Sequence, residues 1–154
     1  MAGRKKLLIV YHSQSGNTEK LAEAVEQGAR LVPSVETTRI RAAEANLEHL
    51  KTCQALVICS PEYFGYMAGA VKDLFDRTYE QVRDQVSGKS CAVLISAGND
   101  GTGALNSIMR IATGYRFKQV QEPLVCRGPV SEAYLKQCRT LGETLAAGID
   151  LGIY

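Results

Sequence analysis

Apolar runs alternate with amphipathic segments along the whole chain. They predict five strands, over residues 6–11, 35–40, 55–59, 90–96 and 120–126. Continuous apolar runs such as 6–11 are typical of parallel strands that are buried on both faces. The last strand contains Pro123, which cannot donate a ladder hydrogen bond, so we expect this strand at an edge of the sheet.

Apolar side chains between these strands recur at helical spacing and predict a helix after each strand. Such alternation implies a parallel sheet with helices on both faces. We therefore predict an α/β fold, a doubly wound five-stranded sheet in the order 2-1-3-4-5, built as one domain over residues 1–154. Ligands of such sheets bind beyond the carboxyl ends of the strands, at the switch point between strands 1 and 3. The loops after strands 1, 3 and 4 are therefore the candidate site.

The loop after strand 1 is rich in groups that bind phosphate. It consists of Ser13, Gln14, Ser15, Gly16, Asn17 and Thr18. Unpaired N–H groups at the start of the next helix and the helix dipole favour an anion, and the hydroxyls add donors. The same residue types are common helix caps, which is the alternative interpretation. Residues 11–18 include no Lys or Arg, so we expect dipoles rather than a cation to neutralise the phosphate of a permanently held cofactor.

The loop after strand 3 is rich in aromatic residues. It contains Pro61, Glu62, Tyr63, Phe64 and Gly65, followed by Tyr66. Aromatic side chains at the ligand edge of a sheet favour a flat partner, and glycine lets the backbone approach a ring closely. We expect one of the three aromatics, Phe64 in preference, to pack beneath the following helix instead. For Glu62, a solvated charge and a functional carboxylate both remain open.

The loop after strand 4 is short and polar. Its candidate residues are Gly98, Asn99 and Asp100. Polar groups of this kind suit the edge of a heterocycle, although Asp100 equally suits a plain turn. A phosphate at the first loop, a ring at the second and edge contacts at the third together indicate a mononucleotide with a planar aromatic base.

Composition narrows the classes of function. The formal net charge of +2, from 18 basic and 16 acidic residues, argues against a dedicated nucleic-acid partner. The five cysteines lack CxxC spacing and the two histidines lack ligand spacing, so we expect inert buried thiols in a reducing compartment and no metal site. No apolar run approaches the ~20 residues of a membrane span and no signal peptide is visible, so we expect a cytoplasmic protein without a membrane partner.

His12 is expected to pack against the next loop, with proton donation to a bound substrate as the alternative.

Several folds and sites with a similar strand-to-helix loop are excluded by particular residues. A receiver domain needs acidic residues after strand 1, where His12 and Ser13 stand. A low-mass tyrosine phosphatase needs a Cys that opens the first loop and an Arg that closes it, and both are missing. A Walker loop needs Lys before Ser or Thr, and a dinucleotide fingerprint needs GxGxxG after strand 1. Neither motif is present in the first loop.

The segment 11–18 resembles the first loop of flavodoxins, which holds the FMN phosphate. The segment 60–77 resembles that of NADPH-dependent FMN reductases and of tryptophan-repressor-binding quinone reductases. The resemblance implies a flavodoxin-like three-layer sandwich with FMN as cofactor. It implies that the phosphate contacts Ser13, Ser15, Asn17 and Thr18, and that the isoalloxazine lies between 61–65 and 98–100.

The chain also departs from these relatives. Electron-carrier flavodoxins are strongly acidic and usually flank the ring with a Trp and a Tyr, whereas this chain has a net charge of +2 and no Trp. The FMN reductases carry a different first loop. The quinone reductases are longer, with inserts that build a tetramer, for which this chain has no room.

Three functions follow from these observations. The first is an oxidoreductase in which NAD(P)H donates hydride to FMN, which then reduces a quinone, a free flavin or another small-molecule acceptor. The alternative is a flavodoxin-type electron carrier between protein partners. The third is a regulatory scaffold that has lost its cofactor, which the intact first loop disfavours. An aromatic loop at the sheet edge also favours a homodimer, in which a partner would cover it.

Overall fold

The computed structural model describes residues 3–154. Its strands are β1 (Lys6–Tyr11), β2 (Glu36–Arg41), β3 (Ala55–Tyr63), β4 (Tyr66–Met67), β5 (Ser90–Ala97), β6 (Lys118–Gln119) and β7 (Leu124–Arg127). Its helices are α1 (Asn17–Ala29), α2 (Leu47–Thr52), α3 (Gly69–Val82), α4 (Thr102–Gly114) and α5 (Glu132–Asp150). The predicted alternation of strands and helices is confirmed.

All seven strands belong to one sheet. Its main path is β2-β1-β3-β5-β6, with β7 also beside β5 and β4 beside β3. Every pairing is parallel except the antiparallel pair of β3 and β4. The predicted doubly wound α/β arrangement is therefore confirmed, with its switch point between β1 and β3.

The five-strand count is wrong at the edge of the sheet. Within the run predicted as one strand over 120–126, only 124–126 belong to a strand, β7, whereas the short strand β6 ends before the run; both strands pair with β5. Val120 still donates its N–H to the carbonyl of Cys91. Residues 120–123 separate the two strands, and Pro123 has no N–H to donate, so the ladder resumes only at Leu124.

Each face of the sheet has its own apolar core. On one face, Leu8 and Val10 of β1 pack with residues of α2, α3 and α4. On the other, Leu7 and Ile9 pack with α1 and α5. The predicted burial of β1 on both faces is confirmed, and the sheet positions all three candidate loops at its carboxyl edge.

Helices α1 and α5 cross at a contact between glycine and backbone. A Cβ added to Gly28 would lie 1.8 Å from the carbonyl oxygen of Arg139, and one added to Gly142 would lie 1.9 Å from that of Val25. No side chain fits at either position. Since α1 begins at the phosphate-loop candidate, this crossing also positions the N-terminus of α1 against the sheet.

Candidate functional site

A cavity of about 660 Å³ lies at the carboxyl ends of β1, β3 and β5. Nine of the predicted site residues line it, namely Ser13, Gln14, Ser15, Asn17, Thr18, Pro61, Glu62, Tyr63 and Gly98. The other predicted residues, Gly16, Phe64, Gly65, Asn99 and Asp100, are not among its lining residues. The topology thus brings all three candidate loops to one cavity.

The first loop forms a tight turn into α1. Gly16 precedes the helix with φ of 100°, in the left-handed region that favours glycine. The hydroxyl of Ser13 accepts the N–H of Gly16 at 3.0 Å, which closes the turn. No side chain among the described residues caps α1, so the interpretation of this loop as an ordinary helix cap is not supported. The backbone N–H groups of the first turn of α1 therefore have no side-chain acceptor and are available to bind an anion.

Two cations approach this loop from outside the 11–18 window. Arg41 at the end of β2 donates from Nη1 to the carbonyl of Ser13 at 3.2 Å and pairs through Nη2 with Glu19 at 3.2 Å. Lys20, one helical turn into α1, lines the cavity. The charge of Arg41 is thus paired with Glu19, whereas Lys20 lies at the cavity outside the segment 11–18. The expectation that dipoles rather than a cation neutralise the phosphate stays a prediction.

His12 packs against the second loop, as predicted. Its ring meets that of Tyr63 edge-on, with centroids 5.9 Å apart. Partial burial, and then the nearby Arg41 guanidinium, hold the pKa of His12 below its ordinary value. At neutral pH the imidazole is therefore uncharged and adds no cation to the phosphate loop.

The lowered pKa of His12 predicts a pH dependence of stability. In the unfolded chain a histidine has a pKa of about 6.5. Between the lower folded pKa and that value the unfolded chain binds more protons, so the free energy of unfolding rises with pH across this window. An NMR titration should give His12 a midpoint below about 6.5, and Arg41→Gln should move that midpoint upward. A midpoint at or above the ordinary value would contradict the assignment.

The second loop is a β-hairpin whose turn consists of Phe64 and Gly65. Their φ angles are 53° and 69°, so both residues lie in the left-handed region that a two-residue hairpin turn requires. Phe64 therefore stands at the tip and is fully exposed, with a relative exposure of 108%. The expectation that Phe64 packs beneath the following helix is wrong. Met67, at the end of the hairpin, is buried instead. The homodimer that would cover the aromatic tip stays a prediction.

Glu62 is neither a free surface charge nor a group aimed solely at the cavity. Its Oε2 accepts the N–H of Ala104 in the first turn of α4, at 3.1 Å. Its side chain also lines the cavity next to Tyr63. The carboxylate therefore links the second loop to the helix that follows the third loop.

The third loop is set by a local turn. Asp100 is exposed, and its Oδ1 accepts the N–H of Thr102 at 2.9 Å. This backbone hydrogen bond, more than the nearby Arg127, lowers the pKa of Asp100. The interpretation of Asp100 as a turn residue is thus supported, and only Gly98 of the predicted trio lines the cavity.

Sequence reasoning missed one wall of the cavity. Ser96 and Ala97, at the end of β5, and the segment Gly128, Pro129 and Val130, after β7, also line it. Gly128 donates its N–H to the carbonyl of Ala97 at 2.8 Å, which holds this segment at the cavity. The Gly-Pro pair directly after a predicted strand is the signal in the sequence that could have identified this segment.

Other candidate chemistry is limited. All five cysteines are buried and free, as predicted. Burial raises the pKa of Cys53 and of Cys91 to about 11, so both thiols stay protonated. Over residues 3–154 no group of three or more His, Cys, Asp or Glu side chains is placed to hold a metal ion. In that same range, no helix combines the length and the apolar character needed to cross a membrane.

Comparison with known proteins gives consistent relatives. The family model described as NADPH-dependent FMN reductase matches residues 41–128, more than half of the chain. A flavodoxin of Aquifex aeolicus is 29% identical over 162 aligned residues, covering 95% of this chain and 88% of that protein. An NAD(P)H dehydrogenase (quinone) of Geobacter sulfurreducens is 26% identical, covering 70% of this chain and 65% of its own length.

A solved structure described as a flavodoxin from the domain Archaea superposes with a TM-score of 0.85. It is 26% identical, and the alignment covers 94% of this chain and 99% of that one. These comparisons confirm the flavodoxin-like α/β fold and the resemblance to FMN-dependent flavoproteins that the first and second loops indicated. The relatives include both a flavodoxin and an NAD(P)H dehydrogenase (quinone).

Proposed function

Because the chain belongs to the NADPH-dependent FMN reductase family, we propose that it binds FMN in the cavity at the carboxyl ends of β1, β3 and β5 and passes electrons from NAD(P)H to a small acceptor. The acceptor class is a quinone, a free flavin or a similar small molecule. The observation that carries the proposal is the N-terminus of α1, which no described side chain caps and which opens into the cavity beside Ser13 and Thr18.

The lining residues suit the parts of FMN. In the proposal, the hydroxyls of Ser13, Ser15 and Thr18 and the first amides of α1 hold the phosphate, with Lys20 as a supplementary charge at the rim. A site that combines amides, hydroxyls and one cation supplies donors and partial positive charge for a phosphate dianion. The residues therefore fit the phosphate end of the cofactor.

The ring end of the site is less polar. Pro61 and Tyr63 on one side and Gly98 on the other would enclose the isoalloxazine, and Phe64 would stand at the exposed edge where nicotinamide and acceptor approach in turn. FMN, when bound, supplies the hydride and electron chemistry, and the chain supplies binding, orientation and exclusion of water. Asn99 and Asp100 would act only at the margin, through the shape of the third loop.

A spectroscopic experiment tests this function. We expect the purified protein with FMN to show a protein-bound flavin spectrum that NADPH or NADH bleaches under anaerobic conditions, and that an added quinone then restores. Dithionite serves as the control, because it reduces bound flavin without a nucleotide. Bleaching by dithionite but by neither nucleotide would exclude the reductase. Failure to take up added FMN would exclude every FMN-dependent function and favour the cofactor-free scaffold.

A flavodoxin-type electron carrier is the second candidate. The similarity to the Aquifex flavodoxin over 95% of this chain favours it. A carrier would show two well-separated one-electron steps in a potentiometric titration and no bleaching by NAD(P)H, whereas a reductase would show bleaching and a single two-electron step. The net charge of +2 makes steering toward a basic partner protein weak, which supports the reductase.

A further inference from the structure

The carboxylate of Glu62, which lies in the second loop, caps the N-terminus of α4, the helix that follows the third loop. Ala104, which donates to Glu62 Oε2 at 3.1 Å, is the third residue of α4. The residue before α4 is Gly101, which has no side chain to cap the helix. A carboxylate at this position satisfies an N–H that otherwise lacks an intrahelical partner, and its charge is favoured by the helix dipole.

Two further contacts attach the hairpin to the same helix. The N–H of Met67 donates to Ser107 Oγ at 3.1 Å. The backbone of Gly65 lies so close to α4 that a Cβ added to Gly103 would fall 1.9 Å from the carbonyl oxygen of Gly65. The hairpin therefore contacts α4 at its start, through Glu62, at its turn and at its end.

The third loop also leads directly into α4. Its Asp100 accepts from Thr102, so the local turn and the hairpin are both tied to the first helical turn. The second and third loops, which both contribute to the lining of the cavity, are thus attached to the N-terminus of the same helix, α4. Tyr63 of the hairpin and Gly98 of the third loop both line the cavity, and we call the space between them the ring slot. A shift of α4 relative to the hairpin would be expected to change its width.

We propose that Glu62 is a positioning residue whose hydrogen bond to Ala104 sets the width of the ring slot, rather than a residue that acts on the ring by its charge. This inference rests on the proposed FMN site. It assigns the carboxylate a partner inside the protein, so an uncharged side chain that still accepts a hydrogen bond should replace most of its effect. Removal of the acceptor should leave the Ala104 N–H unpaired and the hairpin attached to α4 only through Met67 and the close approach of Gly65.

Three variants distinguish the two roles. Glu62→Ala removes the acceptor and the charge, whereas Glu62→Gln removes the charge and keeps an acceptor oxygen. Glu122→Ala is the matched control, because Glu122 is an exposed carboxylate that does not line this cavity. Hydrogen exchange of the Ala104 amide in the FMN-free protein, FMN affinity and the two-electron midpoint potential are measured for each.

We expect Glu62→Ala to speed exchange of the Ala104 amide and to weaken FMN binding by about tenfold each. Glu62→Gln should recover most of both losses, and its midpoint potential should differ little from that of the wild type. Equal losses in Glu62→Gln and Glu62→Ala, or a midpoint potential that rises equally in both, would overturn the proposal in favour of a charge effect. An Ala104 exchange rate that Glu62→Ala leaves unchanged would also overturn it.

The experiment separates this inference from the proposed function. Wild-type protein that binds no FMN would overturn the proposed function, and with it the part of the inference that concerns the ring. The exchange of Ala104, measured without FMN, would still decide whether Glu62 attaches the hairpin to α4. Wild-type binding of FMN together with unaltered affinity in Glu62→Ala would overturn the inference alone.

Discussion

Alanine at Ser13, Ser15 and Thr18 together is expected to weaken FMN binding by at least about a hundredfold. Hydrogen bonds from hydroxyls to a phosphate dianion are charge-assisted and individually stronger than neutral ones. Ser13 has a second role, because its oxygen closes the turn by accepting the N–H of Gly16. Its loss should therefore reduce both the number of donors and the order of the loop.

The affinity is measured by titrating FMN with the FMN-free protein and following the quenching of flavin fluorescence. The matched control replaces three hydroxyls that are exposed and distant from the cavity, in Ser87→Ala, Thr113→Ala and Thr140→Ala combined. We expect the control to bind FMN within about threefold of the wild type, since it removes no group from the site. Unchanged affinity in the Ser13, Ser15 and Thr18 variant would show that the α1 N-terminus does not hold the phosphate, and the proposed function would fail with it.

A single methyl group at Gly142 should destabilise the fold by about 3 kcal/mol or more. The added Cβ would lie 1.9 Å from the carbonyl oxygen of Val25, a backbone atom that cannot rotate away. Relief requires α1 and α5 to separate, which opens the core that contains Leu21 and Leu145. Gly28→Ala should behave in the same way, because its Cβ would meet the backbone of Arg139 at 1.8 Å.

Thermal unfolding measures this effect as a fall in Tm of roughly 10 °C. Gly114→Ala is the control in the same experiment, because we do not expect this substitution to lower the stability. Gly114 is the last residue of α4, and a Cβ there meets no atom within 4 Å. That variant should be neutral or more stable by up to about 1 kcal/mol, because alanine restricts the unfolded chain. A Gly142→Ala protein as stable as Gly114→Ala would mean that the helices do not cross as closely as described.

The local pattern of apolar side chains was sufficient to predict the strands that are buried on both faces of the sheet. Residues 6–11 and 90–96 are continuous apolar runs, and the structure contains strands there with nearly the same ends. It was insufficient over 120–126, where a single strand was predicted although only 124–126 belong to one. Whether a strand continues depends on hydrogen bonds to its neighbour, and the side-chain pattern does not report those bonds.

The features of the candidate site were likewise predicted only in part. The hydroxyls and glycine of 13–18 identified the phosphate-loop candidate because a strand-to-helix turn binds anions through its own backbone. The place of Phe64 was mispredicted, because composition favours burial of an aromatic side chain whereas the two-residue turn directs this one into solvent. The link from Glu62 to Ala104 joins residues 42 positions apart, and no local pattern reports it.

Sequence pattern alone was enough to predict the order of strands and helices, the edge of the sheet at which a ligand would bind, and the loop suited to a phosphate. These depend on periodicity and on backbone chemistry within a few residues. The tertiary structure was needed for the contacts between segments that are distant in the chain. It places Arg41 at the first loop, Gly128 at the cavity, and Glu62 at the start of α4. Such contacts follow from how strands far apart in the chain are paired, and a sequence pattern carries no information about those distances.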